Sequence, residues 1–198
     1  MKQEDPYQLI KTIKYNLENN HKDEPHPKDL MGVPFRQAAV LAPFVLVDSE
    51  WHLLFTRRSD SLKNHKGQVS FPGGAMDQTD QSPIETAYRE TYEEIGVGVE
   101  SLEVIGKMET MMTNSNFLVT PVLAVMKWPI KFIVSEAEVS KVFTIPLAWL
   151  ADSKNWEERI YNHPNGWYGS VIFYEEYGGE LLWGITAAIT HRILKLIK

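Results

Sequence analysis

A nearly continuous apolar run from Ala38 to Val47 is broken by the polar triplet Asp48-Ser49-Glu50, and apolar character resumes from Trp51 to Thr56. Runs of this length around a polar turn read as two neighbouring strands. They start a sheet against which the rest of the chain must pack. No apolar run in the sequence approaches the ~20 residues that span a bilayer, so these segments belong to a protein core. A chain of 198 residues, 43% hydrophobic and 23% charged, can bury such a core and suits one globular domain with a short appendage.

The remaining elements follow from periodicity. Tyr7, Ile10, Ile13 and Leu17 space an amphipathic helix over residues 6–20. Asp23-Glu24-Pro25-His26-Pro27-Lys28-Asp29 then breaks any helix and reads as a linker. This divides the chain into residues 1–35, one helix and a Pro-rich linker, and a main domain over 36–198. Residues 57–81 are polar and read mostly as loop, long enough to suggest function. Ser82-Pro83-Ile84-Glu85 has the form of a capping box with Pro at the first helical position. The helix it opens runs to Ile95 and stops at Gly96. Val97–Gly106, Phe117–Val125, Val142–Ile145 and Ser170–Tyr174 read as strands, and Leu181–Ile197 as a closing helix. Strands followed by helices, with sizeable loops, imply an α/β sandwich rather than a regular parallel repeat.

Composition excludes several classes of function. With 20 Lys+Arg against 26 Asp+Glu and a net charge of −6, the chain is not expected to bind a nucleic-acid backbone. The absence of Cys removes disulfides, thiolate metal sites and a thiol nucleophile. Met1–Pro6 lacks the apolar core of a secretory signal. A soluble cytoplasmic protein is expected.

The chemistry is concentrated in Arg89-Glu90-Thr91-Tyr92-Glu93-Glu94-Ile95-Gly96. At ~100° per residue, Glu90, Glu93 and Glu94 share an arc of roughly 100° beside an apolar stripe of Ile84, Ala87, Tyr88, Thr91 and Ile95. Like charges one turn apart repel. Arg89 can reach Glu93 at i+4, which leaves Glu90 and Glu94 uncompensated. A hard divalent cation with oxygen ligands would neutralise both. Gly73-Gly74, just upstream, allows the backbone to approach a bound group closely.

Gly74 to Val97 resembles the Nudix box, a Gly followed by a Glu and then Arg-Glu-apolar-x-Glu-Glu-x-Gly-apolar. Gly74, Arg89, Glu90, Glu93, Glu94, Gly96 and Val97 match it. Thr91 stands where an aliphatic residue is usual. One extra residue separates Gly74 from Arg89, so Asp80 or Gln81 replaces the first Glu. Upstream, Leu54-Phe55-Thr56-Arg57-Arg58-Ser59, Lys63, Gly67 and Phe71-Pro72-Gly73-Gly74 resemble the signature of the coenzyme A diphosphatase subgroup, with Lys63 in place of an Arg.

The resemblance implies an α/β/α sandwich around a mixed sheet, with an N-terminal helix, and a metal-dependent pyrophosphohydrolase. Glu90 and Glu94 would be the main ligands of Mg²⁺ or Mn²⁺, with Glu93 and the Gly73 carbonyl as further ones. Arg89 would orient Glu93, and a box glutamate or a loop carboxylate such as Glu136 or Glu138 could act as base. Arg57, Arg58, Lys63, His65 and Lys66 would bind a substrate such as coenzyme A or acyl-coenzyme A. The products would be 4′-phosphopantetheine, or its acyl form, and adenosine 3′,5′-bisphosphate. Two alternatives stand beside this reading. One is hydrolysis of another nucleoside diphosphate derivative such as ADP-ribose or NADH, and the other is a non-catalytic nucleotide sensor. The expected partner is a small molecule, not nucleic acid or membrane, and a homodimer is left open.

Overall fold

The two apolar runs lie side by side in the computed structural model, which describes residues 7–19, 35–162 and 168–197. In chain order the elements are α1 (Gln8–Asn19), β1 (Arg36–Val47), β2 (Glu50–Arg58), β3 (Val69–Ser70), β4 (Gly73–Ala75), α2 (Pro83–Ile95) and β5 (Leu102–Lys107). They continue as β6 (Met111–Met112), β7 (Phe117–Met126), β8 (Val139–Pro146), α3 (Leu147–Ala151), β9 (Trp156–Asn162), β10 (Tyr168–Tyr174) and α4 (Gly184–Leu196). Asp48 and Ser49, with φ of 47° and 69°, turn the chain between β1 and β2, and Val47 pairs with Glu50. Positive φ at both turn residues matches the right-handed twist of a hairpin.

β1 is the centre of an eight-stranded mixed sheet. It runs parallel to β7 over Arg36–Phe44, while its pairings with β2 and β4 are antiparallel. β8 lies along β2 from His52 to Arg58. Successive side chains of a strand point to opposite faces, and here both faces are covered. Ala39, Leu41 and Val45 join Leu54, Val122, Ala124 and the α2 residues Ala87 and Ile95 in one core. Ala42, Phe44, Leu53, Phe55 and Leu123 join Ile13 of α1, Leu147 of α3 and Ile189 and Ile193 of α4 in the other. That is why β1 reads as an unbroken apolar run: a strand buried on both faces shows no polar alternation. The α/β sandwich implied by the sequence is the fold found. None of the described helices is long and apolar enough to cross a membrane.

Several boundaries differ from expectation. The linker at 23–29 lies outside the described residues. Residues 57–81 are mostly loop, as expected, but short strand pieces interrupt them. β2 continues to Arg58, and β3 and β4 follow, because Gly73 and Gly74 let the chain lie flat against β1. Gly73 has φ 151°, and a Cβ there would stand 2.4 Å from the Ala39 carbonyl oxygen. The strand expected from Val97 begins only at Leu102, after a 3₁₀ turn at Val99–Ser101. α3 and β9 were not anticipated. β9 carries Glu157, Glu158 and Arg159 and, among the described residues, pairs with β10 alone in a separate two-stranded sheet, so no sheet burial marks it. The closing helix starts at Gly184, and Trp183 stacks on Phe173 at a centroid distance of 5.4 Å. The N-terminal helix α1 packs on the core, with Ile13 fully buried, and Asn16 donates to the Leu196 carbonyl at 2.8 Å.

Candidate active site

The acidic helix α2 is fixed at both ends. Ser82 Oγ accepts from the Glu85 N–H at 3.2 Å, and the Glu85 carboxylate accepts from the Gln81 N–H at 2.7 Å. The second bond falls one residue before the reciprocal capping position, but it satisfies the same kind of orphan donor. At the other end Gly96 is left-handed, φ 70°, where a side chain would be strained. Thr91 is fully buried, and its hydroxyl donates to the Ala87 carbonyl at 2.6 Å. A polar residue therefore occupies an aliphatic position with its donor satisfied inside the helix.

Arg89 organises the polar flank. Its Nε and Nη2 donate to Asp80 Oδ1 and Oδ2 at 3.1 and 2.9 Å. Nη2 also donates to the Ala75 carbonyl at 3.0 Å, and Nη1 donates to Glu90 Oε1 and Glu93 Oε2 at 2.9 Å each. A guanidinium has five N–H donors, and all five are used. Asp80 also accepts from Thr86 Oγ1 at 3.0 Å and the Asp77 N–H at 2.8 Å. The Arg89 bonds hold its carboxyl down at about 2. Asp80, not Gln81, thus replaces the first box glutamate.

The three glutamates do not share one solvated face, as the helical wheel implied. Glu93 has a side chain 51% exposed and Glu90 one 16% exposed, while Glu94 is only 3% exposed. The flank turns inward because Gly73-Gly74 lies across it. A Cβ on Gly74 would stand 2.5 Å from Glu90 Oε2, and the Gly73 N–H donates to Glu94 Oε2 at 3.3 Å. Burial pushes the Glu94 carboxyl up to about 8, against the opposing pull of the Arg58 charge and the Gly73 hydrogen bond. Burial also raises Glu90, partly offset by Arg89. Buried carboxylates short of positive charge suit a divalent cation. The donor set fits: Glu90 Oε2 and Glu94 Oε1 are hard oxygens left free by these bonds, and Gly73 lies alongside. Among the described residues no three His, Asp or Glu groups converge as a ready-made metal cage, and Glu93 is turned to Arg89.

The upstream cations divide in two. Arg57 and Arg58 are neighbours in β2 and point to opposite faces. Arg57 is bound to Asp60 through two bonds of 3.0 Å, to Ser140 Oγ at 2.9 Å and to Glu180 at 3.6 Å. It serves that network on the α4 side, away from the carboxylates of α2. Arg58 acts on Glu94, and its Nε is buried without a hydrogen-bond partner. Lys63, His65 and Lys66 are exposed on the loop between β2 and β3, with His65 Nδ1 3.0 Å from Gln68 Oε1. Of the two loop carboxylates, Glu138 acts on Glu90 and Glu94. Glu136 lines a groove instead.

Comparison with known proteins places the family. The NUDIX domain model matches residues 35–164. An uncharacterized Nudix hydrolase NudL from Pectobacterium atrosepticum is 38% identical over 168 residues, covering 80% of this chain and 81% of that protein. The protein of the same name from Photorhabdus laumondii is 33% identical and covers 88% and 91%. The crystal structure of a Nudix hydrolase from M. smegmatis, RenU, superposes with a TM-score of 0.51 at 21% identity, over 59% of this chain and 74% of that one, which concerns the fold alone. Nudix hydrolases generally use divalent metal ions to act on nucleoside diphosphate derivatives. Box, fold and relatives converge, and the chain belongs to the Nudix family as a pyrophosphohydrolase.

Proposed function

We propose that the enzyme hydrolyses coenzyme A or acyl-coenzyme A to 4′-phosphopantetheine, or its acyl form, and adenosine 3′,5′-bisphosphate, using Mg²⁺ or Mn²⁺ in the cytoplasm. The observation that carries this reading is Arg58, a signature residue whose buried Nε lacks a partner and whose charge is felt by Glu94. A guanidinium charge placed beside Glu94 suits a phosphate held at the metal-binding flank. The signature stretch runs from β2 through the loop to Gly73-Gly74, and its ladder joins Arg58 N to Gln68 O at 2.9 Å. Lys63 and Lys66 are thereby displayed on a loop rooted at Arg58, where an added 3′-phosphate would find cations.

The protein's own residues then divide the work. Glu90 and Glu94 hold the metal, which when bound polarises phosphoryl oxygens and lowers the pKa of water. Arg89 keeps Glu90 and Glu93 in place, Arg58 neutralises charge on the phosphates, and Glu138 accepts the proton of the attacking water. The test is kcat/KM for coenzyme A, dephospho-coenzyme A, ADP-ribose and NADH with Mg²⁺. Coenzyme A should be the best of the four, and Lys63→Ala with Lys66→Ala should narrow its lead over the dephospho form. Faster turnover of ADP-ribose or NADH would replace this substrate with one of those.

A further inference from the structure

A groove of about 530 Å³ opens on the α2 side of β8, within the ~300–1,000 Å³ range of small-molecule sites. Its wall is the segment after β7, which is hydrogen-bonded to the acidic helix. Ile133 N donates to the Ile95 carbonyl at 3.0 Å and Ser135 N to the Glu94 carbonyl at 2.9 Å. Phe132 and Val134, which alternate with these two residues, line the groove together with Val139 and Val142 of β8. Val139 pairs with Arg58 and follows Glu138 directly. One lining residue of the groove thus adjoins a carboxylate whose charge reaches Glu90 and Glu94.

Its rim is short of hydrogen-bond donors. Ser140 Oγ donates to the Arg57 carbonyl at 3.2 Å and accepts from Arg57 Nη1 at 2.9 Å. Lys141 sends its ammonium to Glu180 at 2.9 Å and over the Phe143 ring, leaving its aliphatic stem to the groove. Glu136 remains, and it only accepts. A phosphate would be repelled there, and the acceptor nitrogens of a nucleobase would find no side-chain donor. An uncharged aliphatic chain fits. The outer edge of β8 has no strand partner among the described residues, so its backbone can pair with amides of an extended arm.

Resting on the proposed coenzyme A reading, we infer that this groove binds the acyl-pantetheine arm and makes the enzyme prefer acyl-coenzyme A over free coenzyme A. Each methylene buried should raise kcat/KM by roughly fourfold. The experiment compares kcat/KM for coenzyme A, butanoyl-coenzyme A and octanoyl-coenzyme A in wild type, Val134→Asp, Val134→Ser and the exposed neighbour Ile133→Asp, with melting curves for each. Wild type should favour the octanoyl ester at least tenfold. Both Val134 variants should lose that ratio, and Ile133→Asp should keep it. Equal rates for all three compounds in wild type, or an unchanged ratio in a folded Val134→Ser, would overturn the groove assignment while leaving coenzyme A as the substrate. ADP-ribose turned over faster than every coenzyme A compound would overturn the underlying reading as well.

Discussion

Asp80 and Arg89 meet in a two-pronged ion pair, 3.1 Å and 2.9 Å long, between the loop before α2 and the second turn of that helix. The Asp80 side chain is only 5% exposed. This pair locks the loop to the helix and leaves Arg89 three further donors, one for the Ala75 carbonyl and two that fix Glu90 and Glu93.

Asp80 should make the protein acid-sensitive. Its carboxyl is lowered from 3.8 to about 2 by the Arg89 bonds, so its contribution is complete above the unfolded value. That contribution is lost as pH falls from about 4 through 2. The shift corresponds to about 2 kcal/mol. Urea unfolding at pH 7 should show Asp80→Asn less stable than wild type by about that amount, and at pH 2 the two should nearly coincide. A gap that stays constant with pH would remove Asp80 from this role.

The two glycines should fail in different ways. Alanine at Gly73 collides with backbone, at 2.4 Å from the Ala39 oxygen and 2.6 Å from the Val40 Cα, and should lower the melting temperature by several degrees. The atoms nearest an alanine Cβ at Gly74 are those of the Glu90 carboxylate, the first at 2.5 Å. That side chain can move, at the cost of its place in the site. Gly74→Ala should therefore melt near wild type with kcat reduced on the order of 10²-fold. Calorimetry and turnover on both variants separate the cases.

The β2 arginines should separate as well. Arg58→Gln should lower kcat/KM on the order of 10²-fold or more, through loss of a charge-assisted contact, with little change in melting. Arg57→Gln breaks bonds to Asp60, Ser140 and Glu180 and should chiefly lower the melting temperature. The reverse pattern would exchange their roles.

Sequence reading reached the sheet, the acidic helix and its caps because each has a local cause. β1 is apolar throughout, Ser82 and Gly96 mark the helix ends, and the box spacing puts Glu90 and Glu94 one turn apart. What it missed depends on distant contacts. Whether Glu94 is solvated is decided by β4 lying across it. The doublet Arg57-Arg58 looks uniform in sequence, and the alternation of β2 sends its members to opposite sides. Strand periodicity applied to Phe55-Thr56-Arg57-Arg58 could have found that split. β9 gave no signal because its hairpin buries little, and Asp80 was separable from Gln81 only through its contact with Arg89.

The most direct test of the site is turnover of coenzyme A by Glu94→Gln at saturating Mg²⁺, beside its melting curve in EDTA. The amide keeps the volume and removes a carboxylate that burial raises to about 8. The metal-free variant should therefore melt no lower than wild type at pH 8. With one ligand gone, kcat should fall on the order of 10³-fold or more. A folded Glu94→Gln enzyme that retains wild-type kcat at saturating Mg²⁺ would contradict Glu94 as a metal-holding residue.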